Sequence, residues 1–173
     1  MKKITIKKLR LLNFCGIRDA EYEFSEKLTI VSGGNGLGKS TIANAIMYVL
    51  FGTDMAGNSL DIKTFNENHE IIKEIPHEAE LTLLVDGDQI VLKRTLTDSW
   101  KGSKCMNTYK YYVDGDVTTA GDFKKIVEDI CPDFVFRRIS SATNFCSLPW
   151  QKQRELLESL ADQYTTQDIT QGD

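Results

Sequence analysis

Gly33-Gly34-Asn35-Gly36-Leu37-Gly38-Lys39-Ser40 is the stretch on which the reading of this 173-residue chain turns. It satisfies the pattern G-x-x-x-x-G-K-[S/T] in full, with the apolar run Leu28-Thr29-Ile30-Val31 before it and an apolar segment from Lys39 to Phe51 after it. A strand, a glycine-rich loop and a helix in that order cradle phosphates. The loop turns successive backbone N–H groups inward, and the helix adds the positive end of its dipole. The candidate ligand-binding residues are therefore Gly33, Gly34, Asn35, Gly36, Leu37, Gly38, Lys39, Ser40 and Thr41. Backbone donors come from Asn35 through Thr41. Lys39 is placed to reach between the β- and γ-phosphates of ATP, Thr41 to donate to the α-phosphate, and the Ser40 hydroxyl to be one ligand of Mg²⁺. The bland alternative is a glycine turn that holds nothing. Against it stands Lys39, because a cation at the N-terminus of an apolar helix opposes the helix dipole unless an anion sits there.

Working outward, residues 2–12 and 20–24 alternate polar and apolar side chains, which predicts two strands separated by the break Asn13-Phe14-Cys15-Gly16. Leu28–Val31 is short and wholly apolar, as expected of a strand buried on both faces, so three strands precede the loop. In the helix 39–51, apolar residues surround nearly the whole circumference, which predicts deep packing, and Gly52 supplies its stop. Residues 53–78 are polar and turn-rich, with no period. Three strand-like runs follow at 79–85, 89–96 and 109–113, punctuated by Asp86-Gly87 and Asp114-Gly115, and they predict an antiparallel meander with a long lysine-containing loop over 97–107. Phe123, Ile126, Val127, Ile130 and Cys131 share one helical face ahead of Pro132. A further helix is expected over 150–161 with Leu156, Leu157 and Leu160 inward. The expected fold class is α/β, a mixed β-sheet around the loop helix plus an antiparallel β lobe.

Composition bounds the rest. A content of 41% hydrophobic residues can build one core, and no apolar run approaches the roughly 20 residues that cross a bilayer, so the chain reads as soluble, intracellular and without a membrane partner. Cys15, Cys105, Cys131 and Cys146 show no metal-ligand spacing and are expected as free, buried thiols. The net charge of −4 excludes a surface that is basic all over. Charge is nevertheless segregated: residues 1–30 carry 7 basic and 4 acidic side chains, residues 31–90 carry 3 and 9. The weakly basic block 91–120 is read as a solvated strand face, with contact to a phosphate backbone as the alternative.

Hydrolysis needs more than the loop, namely a carboxylate for the metal and a group that orients the attacking water. An apolar strand ending in Asp or Glu is the usual source. Leu81-Thr82-Leu83-Leu84-Val85-Asp86 comes nearest, but Asp86-Gly87-Asp88 reads better as a hairpin turn. The catalytic carboxylates are therefore expected outside this chain, leaving Lys39 as its one contribution to phosphate stabilisation.

Leu9-Arg10-Leu11-Leu12-Asn13-Phe14-Cys15-Gly16-Ile17-Arg18, Thr29 through Thr41 and Ala45 through Gly52 together resemble the N-terminus of the SMC, RecF, RecN and SbcC class of ATPases. The likeness extends more loosely through Leu92-Lys93-Arg94, Tyr112-Val113-Asp114-Gly115 and 150–157. It is nearest to SbcC-like repair ATPases of bacteria and their phages. The resemblance implies a P-loop NTPase half-head of the ABC-ATPase-like kind, with ATP and Mg²⁺ as cofactors. It implies residues 1–162 as the N-terminal half of the head and 163–173 as a polar tail leading towards a coiled coil. It further implies that Walker B carboxylates and a signature serine come from a C-terminal half of the same polypeptide, and that this half-head alone is inactive. Two complete heads would close on ATP, and the whole would act with an SbcD-like nuclease on DNA ends in a cytoplasmic, nucleoid-associated setting. An exposed edge is expected beside Leu28–Val31, where the Walker B strand would pair.

Residue by residue, the resemblance places Lys63 and Thr64 on the adenine side. Cys15 stands where many relatives carry a basic residue after Asn-Phe, and Arg18 is the candidate to replace that contact. Gln151 and Gln153 fall too far into a helix for the glutamine loop, which leaves Asn144 as its candidate. Two other readings are an ABC-transporter-type ATPase half and a stand-alone, non-catalytic nucleotide-binding module.

Overall fold

Alternation along the first strand buries Leu9 and Leu11 on one face of β1 (Ile4–Phe14), the strand on which the sheet is built, and Asn13 (φ 50°) interrupts the alternation ahead of the buried Phe14. A two-residue turn at Cys15-Gly16 returns the chain as β2 (Ile17–Glu23). The computed structural model describes residues 2–66, 68, 70–102, 104–140, 146 and 149–161. The chain divides into two units, Met1–Pro132 and Asp133–Asp173.

In the first unit, α1 (Lys39–Phe51) follows the glycine loop. Then come β3 (His77–Val85), β4 (Asp88–Lys101), β5 (Lys104–Val113), β6 (Asp116–Thr118) and α2 (Ala120–Ile130). The strands form one six-stranded sheet in the order β2-β1-β3-β4-β5-β6, and every ladder in it is antiparallel. Register brings apolar partners together across it: Leu9 faces Leu81, Leu11 faces Ala79, and Leu81 faces Leu92. Asp86 (φ 54°) and Asp114 (φ 51°) open the two tight turns of the meander. The Asp86 carboxylate accepts from Lys3 N at 2.7 Å, so it is tied up by the residue just ahead of β1.

α1 packs on β3 and β4, and it buries Met47, Tyr48, Val49 and Leu50 in succession, the all-round burial expected of it. Phe14 meets Tyr48 edge-on, ring centroids 5.5 Å apart, which ties the start of the β1–β2 turn to α1. α2 begins at Thr119, whose side chain accepts from Asp122 N at 3.2 Å, and buries Phe123, Val127 and Ile130.

Four expectations need correction. Leu28–Val31 is not a strand: it has no ladder partner among the described residues, and Leu28 and Ile30 are 72% and 77% exposed. Apolar content cannot make a strand without a neighbour for its backbone groups, and the sheet ends at β2. Hence two strands precede the loop, and the parallel pairing of a mixed sheet is not found among the described residues. Second, the loop over 97–107 is a hairpin arm. Lys101 pairs with Lys104, while the Asp98 carboxylate anchors the arm by accepting from Glu74 N at 2.9 Å and from the Trp100 indole. Third, of the cysteines only Cys131 is buried, and Cys146 is exposed.

In the second unit, α3 (Asp133–Ser140), not foreseen, carries an Arg137–Asp133 ion pair at 2.7 Å one turn apart. α4 (Trp150–Ala161) lies where expected, but Leu157 is 55% exposed, the fourth correction. Gln153 donates to the Cys146 carbonyl at 3.3 Å.

Candidate nucleotide-binding site

Gly38 is the N-cap of α1 and has φ 82°, a left-handed conformation open to glycine at little cost. It carries no side chain to cap the helix, and the first turn of α1 holds no acidic residue. The helix therefore presents its first-turn N–H groups and its positive end without a built-in counter-charge. Thr41 N is an exception within the expected donor set, because it turns back to Gly38 O at 3.1 Å.

Lys39 Nζ folds over the loop and donates to Gly33 O at 2.7 Å and Gly34 O at 2.6 Å. Two carbonyls hold a full positive charge above the mouth of the loop. The Ser40 side chain lies exposed in the same helical turn. Around them opens a cavity of about 550 Å³ lined by Asn35 through Thr41 on one side and by Cys15, Gly16 and Ile17 on the other. That volume lies within the range of small-molecule sites.

The second wall is held from behind. Cys15 N donates to Ile62 O at 2.9 Å, and Gly16 N to Thr64 Oγ1 at 3.4 Å. The Asn13 carbonyl accepts from Thr64 Oγ1 at 2.8 Å and from His77 Nδ1 at 2.6 Å, which puts the His77 proton on Nδ1. His77 is completely buried, and its Nε2 has no hydrogen-bond partner among the described residues. Burial, and secondarily the charge of Asp61, pushes the Cys15 thiol up to about 11, so it faces the cavity as a neutral group.

Lys63 and Thr64 are thus placed behind the turn and do not line the cavity. Both are buried, and Lys63 Nζ lies 3.3 Å from Cys105 Sγ. Arg18 is exposed on β2 and also stands outside the lining. Asn144 falls outside the described residues. Sequence reasoning missed Ile62 and His77, whose contacts with the turn span long stretches of chain, and Ile17, which reaches the loop at Gly38 only through the fold.

The loop, the uncapped helix start and the cationic Lys39 fit a polyphosphate. Ser40 can give one oxygen to Mg²⁺, and among the described residues no cluster of three or more His, Cys, Asp or Glu could hold a metal by itself. The fold and the glycine loop are those of a P-loop nucleotide-binding domain. The AAA domain family profile matches residues 8–168, and the chain belongs to that family.

Among known proteins, the chain is 26% identical over 134 residues to the DNA double-strand break repair Rad50 ATPase of Archaeoglobus fulgidus, covering 77% of this chain and 13% of that protein. Its counterpart from Thermoplasma acidophilum is 26% identical over 168 residues, covering 91% and 18%. The DNA replication and repair protein RecF of Phocaeicola vulgatus is 35% identical over 65 residues, covering 38% and 17%. The chain therefore spans less than a fifth of these relatives. The Smc head domain with a coiled coil and joint from Pyrococcus yayanosii superposes with TM-score 0.55 at 23% identity, over 75% of this chain and 26% of that one. A RecF–ATP structure gives TM-score 0.52 at 18% identity, over 68% and 28%. The likeness to the N-terminal half of SMC, RecF and SbcC-class ATPases, first carried by the motifs, extends over most of the chain.

Proposed function

We propose that this chain binds ATP with Mg²⁺ on Gly33–Thr41 as the N-terminal part of an SMC-like ATPase that controls DNA-end processing in repair or recombination. The observation that carries the proposal is the uncapped start of α1 with Lys39 held over it by the Gly33 and Gly34 carbonyls. When ATP arrives, its phosphates replace those carbonyls as partners of Lys39, and the loop N–H groups stabilise the remaining charge. Mg²⁺, when bound, neutralises charge between the phosphates, and Ser40 donates one ligand to it. A carboxylate to complete the metal site and a group to activate water would come from a C-terminal half of the same polypeptide. A second head would close the site across an ATP-dependent dimer. The repair names of the relatives support DNA as a partner of the whole assembly, and an SbcD-like nuclease beside it is carried by the sequence resemblance alone.

Calorimetric titration with a non-hydrolysable ATP analogue and Mg²⁺ tests this. Lys39→Ala is expected to lose about 1.5–3 kcal/mol of binding, as for a hydrogen bond to a charged group, with no phosphate release by either protein. Equal affinity of the two proteins would contradict the proposal. Turnover by the chain alone would mean that a carboxylate within it serves the metal.

A further inference from the structure

Arg94 enters α1 from the sheet. It lies on β4, and its guanidinium points at the C-terminal end of α1, where Nε donates to Val49 O at 2.7 Å and Nη2 to Leu50 O at 3.0 Å. Those carbonyls belong to the last helical turn, which has no intrahelical donors left for them. Gly52 N serves only Tyr48 O. The turn has no basic residue of its own, so Arg94 supplies the cation that complements the negative end of the helix.

Three rings fix the guanidinium sideways: Phe123 at 5.0 Å, Tyr111 at 5.2 Å and Tyr48 at 5.8 Å from its central carbon. Among the described residues no carboxylate forms an ion pair with it. Gly52 leaves it room. A Cβ there would lie 2.8 Å from Arg94 Nη1, and the φ of 78° already disfavours a side chain. The planar fork is suited to this geometry in a way that a lysine ammonium is not, because it bridges two carbonyls while stacking on rings.

We propose that Arg94 is a positioning residue for phosphate binding: by clasping the last turn of α1 it sets the height and rotation at which the first turn presents Lys39 and Ser40. An α-helix of 13 residues transmits an axial shift along its length, and phosphate contacts tolerate little misplacement. This inference rests on the reading of Gly33–Thr41 as the nucleotide site.

The test compares the wild-type chain with Arg94→Lys, Gly52→Ala and, as a control for lost stability, Ile130→Ala, which lies in the core outside the ring cage. Affinity for the ATP analogue with Mg²⁺ is measured at a temperature at which circular dichroism shows every protein fully folded. Arg94→Lys and Gly52→Ala should each bind roughly tenfold more weakly or worse, as expected when a binding group is misplaced. Ile130→Ala should melt earlier and bind like wild type. Wild-type affinity in Arg94→Lys, or an equal loss in Ile130→Ala, would overturn the positioning role and leave the nucleotide site standing. Failure of the wild-type chain to bind would remove both.

Discussion

Thr64 Oγ1 donates to the Asn13 carbonyl and accepts from Gly16 N, so it fastens both ends of the turn that walls the phosphate cavity. Thr64→Val keeps the volume and removes both bonds. It is expected to cost about 1–3 kcal/mol of stability, measurable by denaturant unfolding, and to weaken the ATP analogue, because Gly16 and Ile17 lose their support. Cys15 gives a pH signature. Its folded pKa of about 11 lies above the ordinary value of 9.0, so the protonated thiol is the form that the fold favours. The corresponding stability is fully present below the unfolded pKa and is lost as pH rises through about 11. Alkylation of Cys15 should accordingly be slow at neutral pH and accelerate only in alkaline buffer, as followed by peptide mass spectrometry. Rapid modification near neutrality would refute this. Lys39 and Ser40 were legible in the sequence because their motif is contiguous. Thr64 was singled out only through resemblance, and His77 not at all, since both act through the carbonyl of Asn13, far away in the chain.

At the scale of elements, α1, β3, α2 and α4 announced themselves through period and caps. The hairpin arm of β4 and β5 did not. Asp98, Ser99 and Gly102 read as loop residues, whereas the arm is held by tertiary contacts: Asp98 with Glu74 N and the Trp100 indole, and Lys73 Nζ 4.5 Å from the Trp100 ring centroid. Leu28–Val31 failed the other way, having strand composition without a strand's neighbour. Its exposed side chains beside the end of the sheet are a surface prone to association. Sedimentation velocity over a wide concentration range should show self-association of the chain, reduced by Ile30→Lys. Clean monomer at every concentration would contradict that expectation. In the core, Leu81 pairs with Leu9 and Leu92 and is fully buried, so Leu81→Ala should cost about 2–5 kcal/mol in unfolding experiments.

Within Met1–Pro132, one antiparallel sheet packs against α1, a helix whose two ends have different surroundings. The N-terminal end faces the cavity, and the C-terminal end is gripped by Arg94 from β4. The fold class was readable from the sequence because the loop motif brings its own structural context. The sheet order was not, because strand pairing is decided by contacts that no local window contains. Two-dimensional amide NMR of the labelled chain during titration with the ATP analogue and Mg²⁺ locates where the nucleotide phosphates bind, proposed to be Gly33–Thr41. The largest shifts should fall on Gly34 through Thr41 and on Gly16 and Ile17 across the cavity, and Lys39→Ala should abolish them. Shifts centred instead on the smaller cavity beside Lys63, Asn107 and Tyr109, with the loop amides unmoved, would contradict the proposal.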